Sequence, residues 1–299
     1  MARAYPPDVV VLDTDGLLHA RLGRGKQGPQ ILHAKSYRLA EGTFTSSVVT
    51  PELANEAALA EALRRLRMES GKWERVSLLL PDSWFRINIL DLPSMPQKSG
   101  EALEVVRWSL KRTLPIAPDE LRVAYEVLAT APDGSTKVFV LSALDKTLSA
   151  LERVFAAGGF EVVLIEPVGL NIWNAITVRE AATTKDRLFL YVRDTDFTTA
   201  VFRGQQPLFI RSRNLSGERT LAQEIRLSAS YLRDTLQANG IETCYVAGRA
   251  LDAELSSAIR AEFGAPVQPV SLASLAEVIP SDAAAYESEL AACTGVFTG

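Results

Sequence analysis

The chain runs twice through one order of elements. Val9, Val10, Val11 and Leu12 form an unbroken apolar run ending at Asp13, the pattern of a strand buried on both faces. A turn, Asp13-Thr14-Asp15-Gly16, leads to two further strand-like segments at 17–22 and 31–39. Leu59, Leu63 and Leu66 share one helical face across 55–68, Gly71 stops that helix, and 76–80 is again a buried strand. After a polar junction at 183–186 the order returns: strands at 188–192, 198–202 and 207–213, a long helix at 220–239 stopped by Gly240, and a strand at 242–246. A helix at 251–263, a short strand at 267–270 and a last helix at 283–293 follow. No residue-level repeat accompanies the repeated order. An α/β chain of two like units is predicted.

The first unit is interrupted. Phe85, Ile87 and Ile89 alternate in a strand at 84–90, and the prolines of Leu92-Pro93-Ser94-Met95-Pro96 end it. A helix at 101–114 carries Trp108 and is cut by Pro115. Strands at 121–128 and 137–143 flank the turn Pro132-Asp133-Gly134, a helix at 146–157 stops at Gly158-Gly159, a strand occupies 161–165, and a helix at 169–182 reaches the junction. The stretch from Leu92 to Glu120 has fixed edges and no catalytic residues, which suits holding a partner better than transforming a substrate.

Composition closes several routes. With 299 residues, 47% hydrophobic and 23% charged, the chain has ample material for a core. Its formal net charge of −4, with acids and bases well mixed, speaks against a nucleic-acid binder. Cys244 and Cys293 do not make a disulfide framework, so a reducing compartment is expected. Neither a signal peptide nor a stretch of roughly 20 apolar residues is present, so no direct membrane insertion is expected. His19 and His33 have no spacing to the cysteines that would make a metal site, and no metal ligand is assigned.

Two units of this order match the duplicated ribonuclease-H-like core of actin-type ATPases, and four stretches narrow the match. They are Leu90-Asp91-Leu92-Pro93-Ser94-Met95-Pro96; Val106-Arg107-Trp108 through Leu114-Pro115; Gln206-Pro207-Leu208-Phe209-Ile210-Arg211-Ser212 leading into Glu224-Ile225-Arg226-Leu227-Ser228; and Ala247-Gly248 followed by Phe263-Gly264-Ala265-Pro266-Val267. In this order they resemble the PilM-type pilus assembly proteins, actin-like proteins related to the cell-division protein FtsA. The resemblance implies two ribonuclease-H-like domains, 1–182 and 183–299, with an α+β subdomain inserted at about 82–165.

It also implies phosphate loops, in which a strand ends in Asp-x-Gly-Ser/Thr and backbone N–H groups cradle a phosphate. Here Asp13 matches, Asp15 stands at the glycine position, and Gly16 comes one residue late. The second loop has Tyr191-Val192-Arg193, or with a slipped register Asp194-Thr195-Asp196, without glycine. Arg193 reads as a surface arginine or as a guanidinium fork for phosphate. The adenine-side glycine pair is reduced to Gly248-Arg249. The implied cofactor is ATP with magnesium. The weakened loops argue against hydrolysis, and no cofactor is assigned from the residues. Gly23-x-Gly25-x-x-Gly28 is followed by Pro29 and a strand rather than a helix, so it reads as a hairpin loop.

In the resembled family the cytoplasmic tail of a membrane-anchored partner binds near the inserted subdomain. Trp84, Phe85 and Trp108 are therefore candidates for partner contact, with core packing as the alternative for each. The expectation is a cytoplasmic scaffold of a type IV pilus or related machine, held at the inner membrane by a short partner tail. Self-association into a homo-oligomer is left open. Two alternatives remain: an active ATPase or sugar-kinase-like phosphotransferase, and the cytoplasmic domain of a GspL-like type II secretion protein. The last would place a transmembrane segment after residue 299, which a natural end at Gly299 would oppose.

Overall fold

The computed structural model describes residues 5–45, 51–71, 73–111, 116–180, 183–215, 220–235, 240–248, 251–277 and 283–298. Its first sheet has the order β3-β2-β1-β4-β8, formed by β1 (Asp8–Leu12), β2 (Gly16–Arg24), β3 (Pro29–Arg38), β4 (Arg75–Leu80) and β8 (Glu161–Pro167). β1 lies antiparallel to β2 and parallel to β4. Its apolar run divides between two cores, Val9 and Val11 facing one and Val10 and Leu12 the other. This two-sided burial explains the unbroken apolar sequence.

Two helices cover the outer face. Helix α1 (Glu56–Ser70) is capped by the Asn55 side chain, which accepts from the Ala58 N–H at 3.1 Å, and buries Leu59, Ala62, Leu63 and Leu66. Helix α3 (Asp145–Ala157) buries Leu148, Leu151, Val154 and Phe155 in the same core.

The second sheet repeats the first. β9 (Asp186–Val192), β10 (Asp196–Arg203), β11 (Gln206–Asn214), β12 (Ile241–Gly248) and β13 (Val267–Pro269) take the order β11-β10-β9-β12-β13. β9 is antiparallel to β10 and parallel to β12, as β1 is to β2 and β4. Helices α5 (Leu221–Thr235) and α6 (Ala253–Phe263) pack on its outer side. The duplicated ribonuclease-H-like order is thus present, strand for strand.

Helices α4 (Val168–Arg179) and α8 (Glu287–Thr298), with the short α7 (Leu272–Leu275), lie in one core between the sheets. That core joins Val9 and Leu79 of the first sheet to Phe189, Phe202 and Tyr245 of the second. The indole of Trp173 stacks on Phe202 with ring centroids 4.0 Å apart. Gly295 lets α8 approach α4 backbone to backbone, since a Cβ there would stand 1.8 Å from the Asn171 carbonyl oxygen. A dividing line at 182/183 therefore leaves α8, from the C-terminal half, packed against first-sheet strands.

The inserted subdomain is a separate antiparallel sheet, β5-β7-β6, made of β5 (Phe85–Leu92), β6 (Leu121–Thr130) and β7 (Thr136–Leu144). Helix α2 (Ser99–Lys111) covers it through Val106 and Leu110, which meet Leu92, Val138 and Val140. The subdomain is shorter than the expected 82–165. Its sheet ends at Leu144, whereas β8 pairs in parallel with β4 and α3 packs on the first core. The strand expected from Trp84 starts at Phe85, because residues 82–84 form a 3-10 turn. The last helix extends beyond residue 293, because Gly295 serves the contact with α4 instead of stopping the helix. The expected helix ends at 114–115, 182 and 239 lie outside the described residues.

Candidate functional site

The β1–β2 and β9–β10 hairpins carry tips that correspond bond for bond. The Asp13 N–H donates to the Gly16 carbonyl at 2.8 Å, and the Arg193 N–H donates to the Asp196 carbonyl at 2.8 Å. The Leu39 N–H reaches the Asp15 carbonyl at 2.9 Å, and the Leu215 N–H reaches the Thr195 carbonyl at 2.7 Å. Residues 13–16 and 193–196 are therefore structural equivalents, and Arg193 stands at the position of Asp13.

The two equivalents touch. The Arg193 guanidinium donates to Asp13 Oδ2, and its other amino group lies 3.6 Å from Asp196 Oδ2. The Arg193 side chain is only 19% exposed, so it is not the surface arginine of one sequence reading. Burial would favour its neutral form, but the carboxylates of Asp13 and Asp196 more than offset that and hold its proton more firmly than usual. Burial pushes the Asp13 carboxyl up, and the Arg193 charge opposes the rise.

Asp196 Oδ2 also accepts from Thr195 Oγ1 at 2.9 Å and from Ser83 Oγ at 3.3 Å. Beside Ser83 lies Asp82, fully buried, whose Oδ1 accepts the Gly169 N–H at 2.7 Å at the start of α4. Burial raises its carboxyl to about 6. Glu289 on α8 is likewise raised by burial; Arg193 acts against the rise, and Asp13 and Asp15 add to it.

The remaining sequence candidates divide. Asp15 is exposed on the first tip, and Gly16 closes its turn. Gly248 ends β12 with φ +93°, and a Cβ there would stand 2.0 Å from the Val192 carbonyl oxygen. Its N–H donates to Ser288 Oγ at 2.9 Å. Arg249 lies outside the described residues. Gly23, Gly25 and Gly28 belong to the β2–β3 hairpin, where the Gln27 N–H donates to the Glu277 carboxylate. No group of three or more His, Cys, Asp or Glu among the described residues is placed to hold a metal ion.

The aromatic candidates also divide. Trp84 and Phe85 are 3% and 4% exposed in the first core, where Trp84 meets Phe44 edge-on at 5.3 Å. Trp108 is 63% exposed on α2. Phe85 also lines a groove of about 250 Å³ between the inserted sheet and the first sheet. β6 and β8 are both outer strands of their sheets, and both line this groove. Val162, Val163, Leu164 and Ile165 of β8 are half-exposed there, an apolar strand edge with no further strand beside it among the described residues. Arg122 sits among them, bound to Asp145 Oδ1 at 2.9 Å, Glu152 Oε1 at 2.5 Å and Ser149 Oγ at 3.1 Å. The sequence places a strand at 161–165. Its apolar composition holds no sign that one edge and part of a face lie open.

Hairpin tips facing each other between two ribonuclease-H-like units define the actin-like fold. A PilM–PilN type IV pilus biogenesis complex is similar over 98% of this chain and 98% of that one, with a TM-score of 0.77 and 21% identity. A Bacteroides thetaiotaomicron protein described as having an actin-like ATPase fold and unknown function matches 92% of this chain and 93% of its own, with a TM-score of 0.56 and 14% identity. The cytoplasmic domain of EpsL, an inner-membrane component of the Vibrio cholerae type II secretion system, matches 98% and 94%, with a TM-score of 0.53 and 11% identity. No family model and no curated protein sequence matches the chain. Among the described residues no helix is long and apolar enough to cross a membrane.

Proposed function

We propose that this protein is an actin-fold scaffold of a type IV pilus or type II secretion assembly machine. It docks the short cytoplasmic tail of an inner-membrane partner and is held at the membrane face by that tail. The observation that carries the reading is the open apolar edge of β8 facing the edge of β6 across one groove. An extended peptide laid there would satisfy strand-edge N–H and C=O groups and cover Val163 and Leu164. The similar PilM–PilN structure is itself a complex of two assembly proteins, which supports a protein occupant. Phe85 then belongs to the groove floor, Trp84 to the core beneath, and Trp108 to the outer face of the subdomain.

The nucleotide loops are degenerate in this reading. Asp15 takes the place of a phosphate-cradling glycine, no glycine occurs at 193–195, and Arg193 closes on Asp13 between the tips.

The test is capture from detergent-solubilised inner membranes, followed by titration of a synthetic peptide copying the captured protein's cytoplasmic tail. The wild-type chain should retain a single-span protein and bind its tail peptide. Val163→Lys should fold normally, since Val163 lines the groove without packing into a core, and should weaken the peptide at least tenfold. Equal binding by Val163→Lys would place the tail elsewhere, and capture of no membrane protein by the wild type would remove the reading.

A further inference from the structure

We propose that Asp13 and Arg193 form a built-in latch, in which the protein's own guanidinium holds the two actin-like halves together between their equivalent hairpin tips. The latch sets the closure of the cleft without nucleotide. The observation is the internal symmetry of the tips. Two structurally equivalent positions, one in each half, carry opposite charges and are in contact. They are 180 residues apart in sequence, so the pair ties halves and not neighbours.

The latch has a built setting. Asp196 supports Arg193 from its own hairpin at 3.6 Å, and Thr195 and Ser83 hold the Asp196 carboxylate. Ser83 follows β4 in the first half, so the network crosses the cleft a second time. Arg193 is largely removed from water, where a pair with two carboxylates is screened far less than on a surface. An incoming triphosphate would have to displace Asp13 from Arg193 and meet the added carboxylates of Asp15 and Asp196.

The experiment reads amide hydrogen exchange in both tips. Arg193→Gln should speed exchange at residues 13–16, in the opposite half, by about fivefold or more. Asp13→Asn should do the same at 193–196. The double variant should be no faster than the faster single one, and Arg193→Lys should restore part of the protection. Magnesium with ATP should leave exchange in the wild-type tips unchanged. If Arg193→Gln affects only its own hairpin, the pair is a local contact and the latch is wrong. If ATP with magnesium slows exchange at both wild-type tips, the cleft is nucleotide-operated and the latch is equally wrong. No partner enters the experiment, so its failure leaves tail docking untouched, and loss of tail docking leaves the latch untouched.

Discussion

Asp82 carries a carboxyl group whose protonation folding changes within an accessible pH range. It is wholly buried, and burial lifts its carboxyl from an ordinary 3.8 to about 6 against the hydrogen bond from the Gly169 N–H. Because the folded state holds this proton more tightly, its contribution to stability is present below about pH 4 and is lost as the pH rises from there to about 6. Asp82→Asn keeps an acceptor for the Gly169 N–H and does not titrate. The variant should therefore gain on the wild type across that window by on the order of 3 kcal/mol and hold a constant lead above it. Urea midpoints at a series of pH values measure this, and a lead that does not change with pH would show that Asp82 is not the titrating group. Nothing in the local pattern marks Asp82, because the N–H that meets its carboxylate belongs to Gly169, 87 positions away. Arg193 was visible as an anomaly in a phosphate loop, but its partner was not. Only the matching of hairpin tips through sheet topology places it opposite Asp13.

At the scale of elements, local pattern went far and then met its limit. The apolar run of β1, the capped helix α1 and the repeated strand order were all legible, because each rests on side chains within a few positions of one another. The edge of the inserted subdomain was not. α3 and β8 look locally like any helix and strand, and only their pairing with α1 and β4 assigns them to the first sheet. Helix α8 is a further case. Ala291, Ala292, Cys293, Thr294 and Gly295 are small and fully buried or nearly so, and their smallness fits two helices packed between two sheets. Gly295→Ala tests this by its sign. On an exposed helix the change would stabilise by about 1 kcal/mol. Here the new Cβ would stand 1.8 Å from the Asn171 carbonyl oxygen, so α4 and α8 must part. Chemical unfolding should show a loss of about 1–3 kcal/mol, and a gain would mean that the two helices are not in backbone contact.

For the whole molecule, the question is whether duplication leaves two domains or one cooperative body. Each sheet has its own outer core, one with α1 and α3 and the other with α5 and α6. The central core belongs to both, since Val9, Leu79, Trp173, Phe189 and Leu290 are part of one cluster. Trp173 is its keystone by size. It stacks on Phe202, meets Phe189 and Tyr245, and lies 5.1 Å from the Arg187 guanidinium, while its own helix follows directly from β8. Trp173→Phe removes the larger ring but keeps an aromatic group in the stack; Trp173→Ala empties the site and should cost about 3–5 kcal/mol. If the halves unfold as one body, amides of β1 and β9 should lose protection by equal factors in Trp173→Ala, although among the described residues its aromatic contacts lie in the second sheet. Native-state hydrogen exchange separates the outcomes. Equal losses in β1 and β9 would join the halves through α4 and α8. A loss confined to β9 would make them independent domains, and the milder Trp173→Phe should show the same division at smaller amplitude.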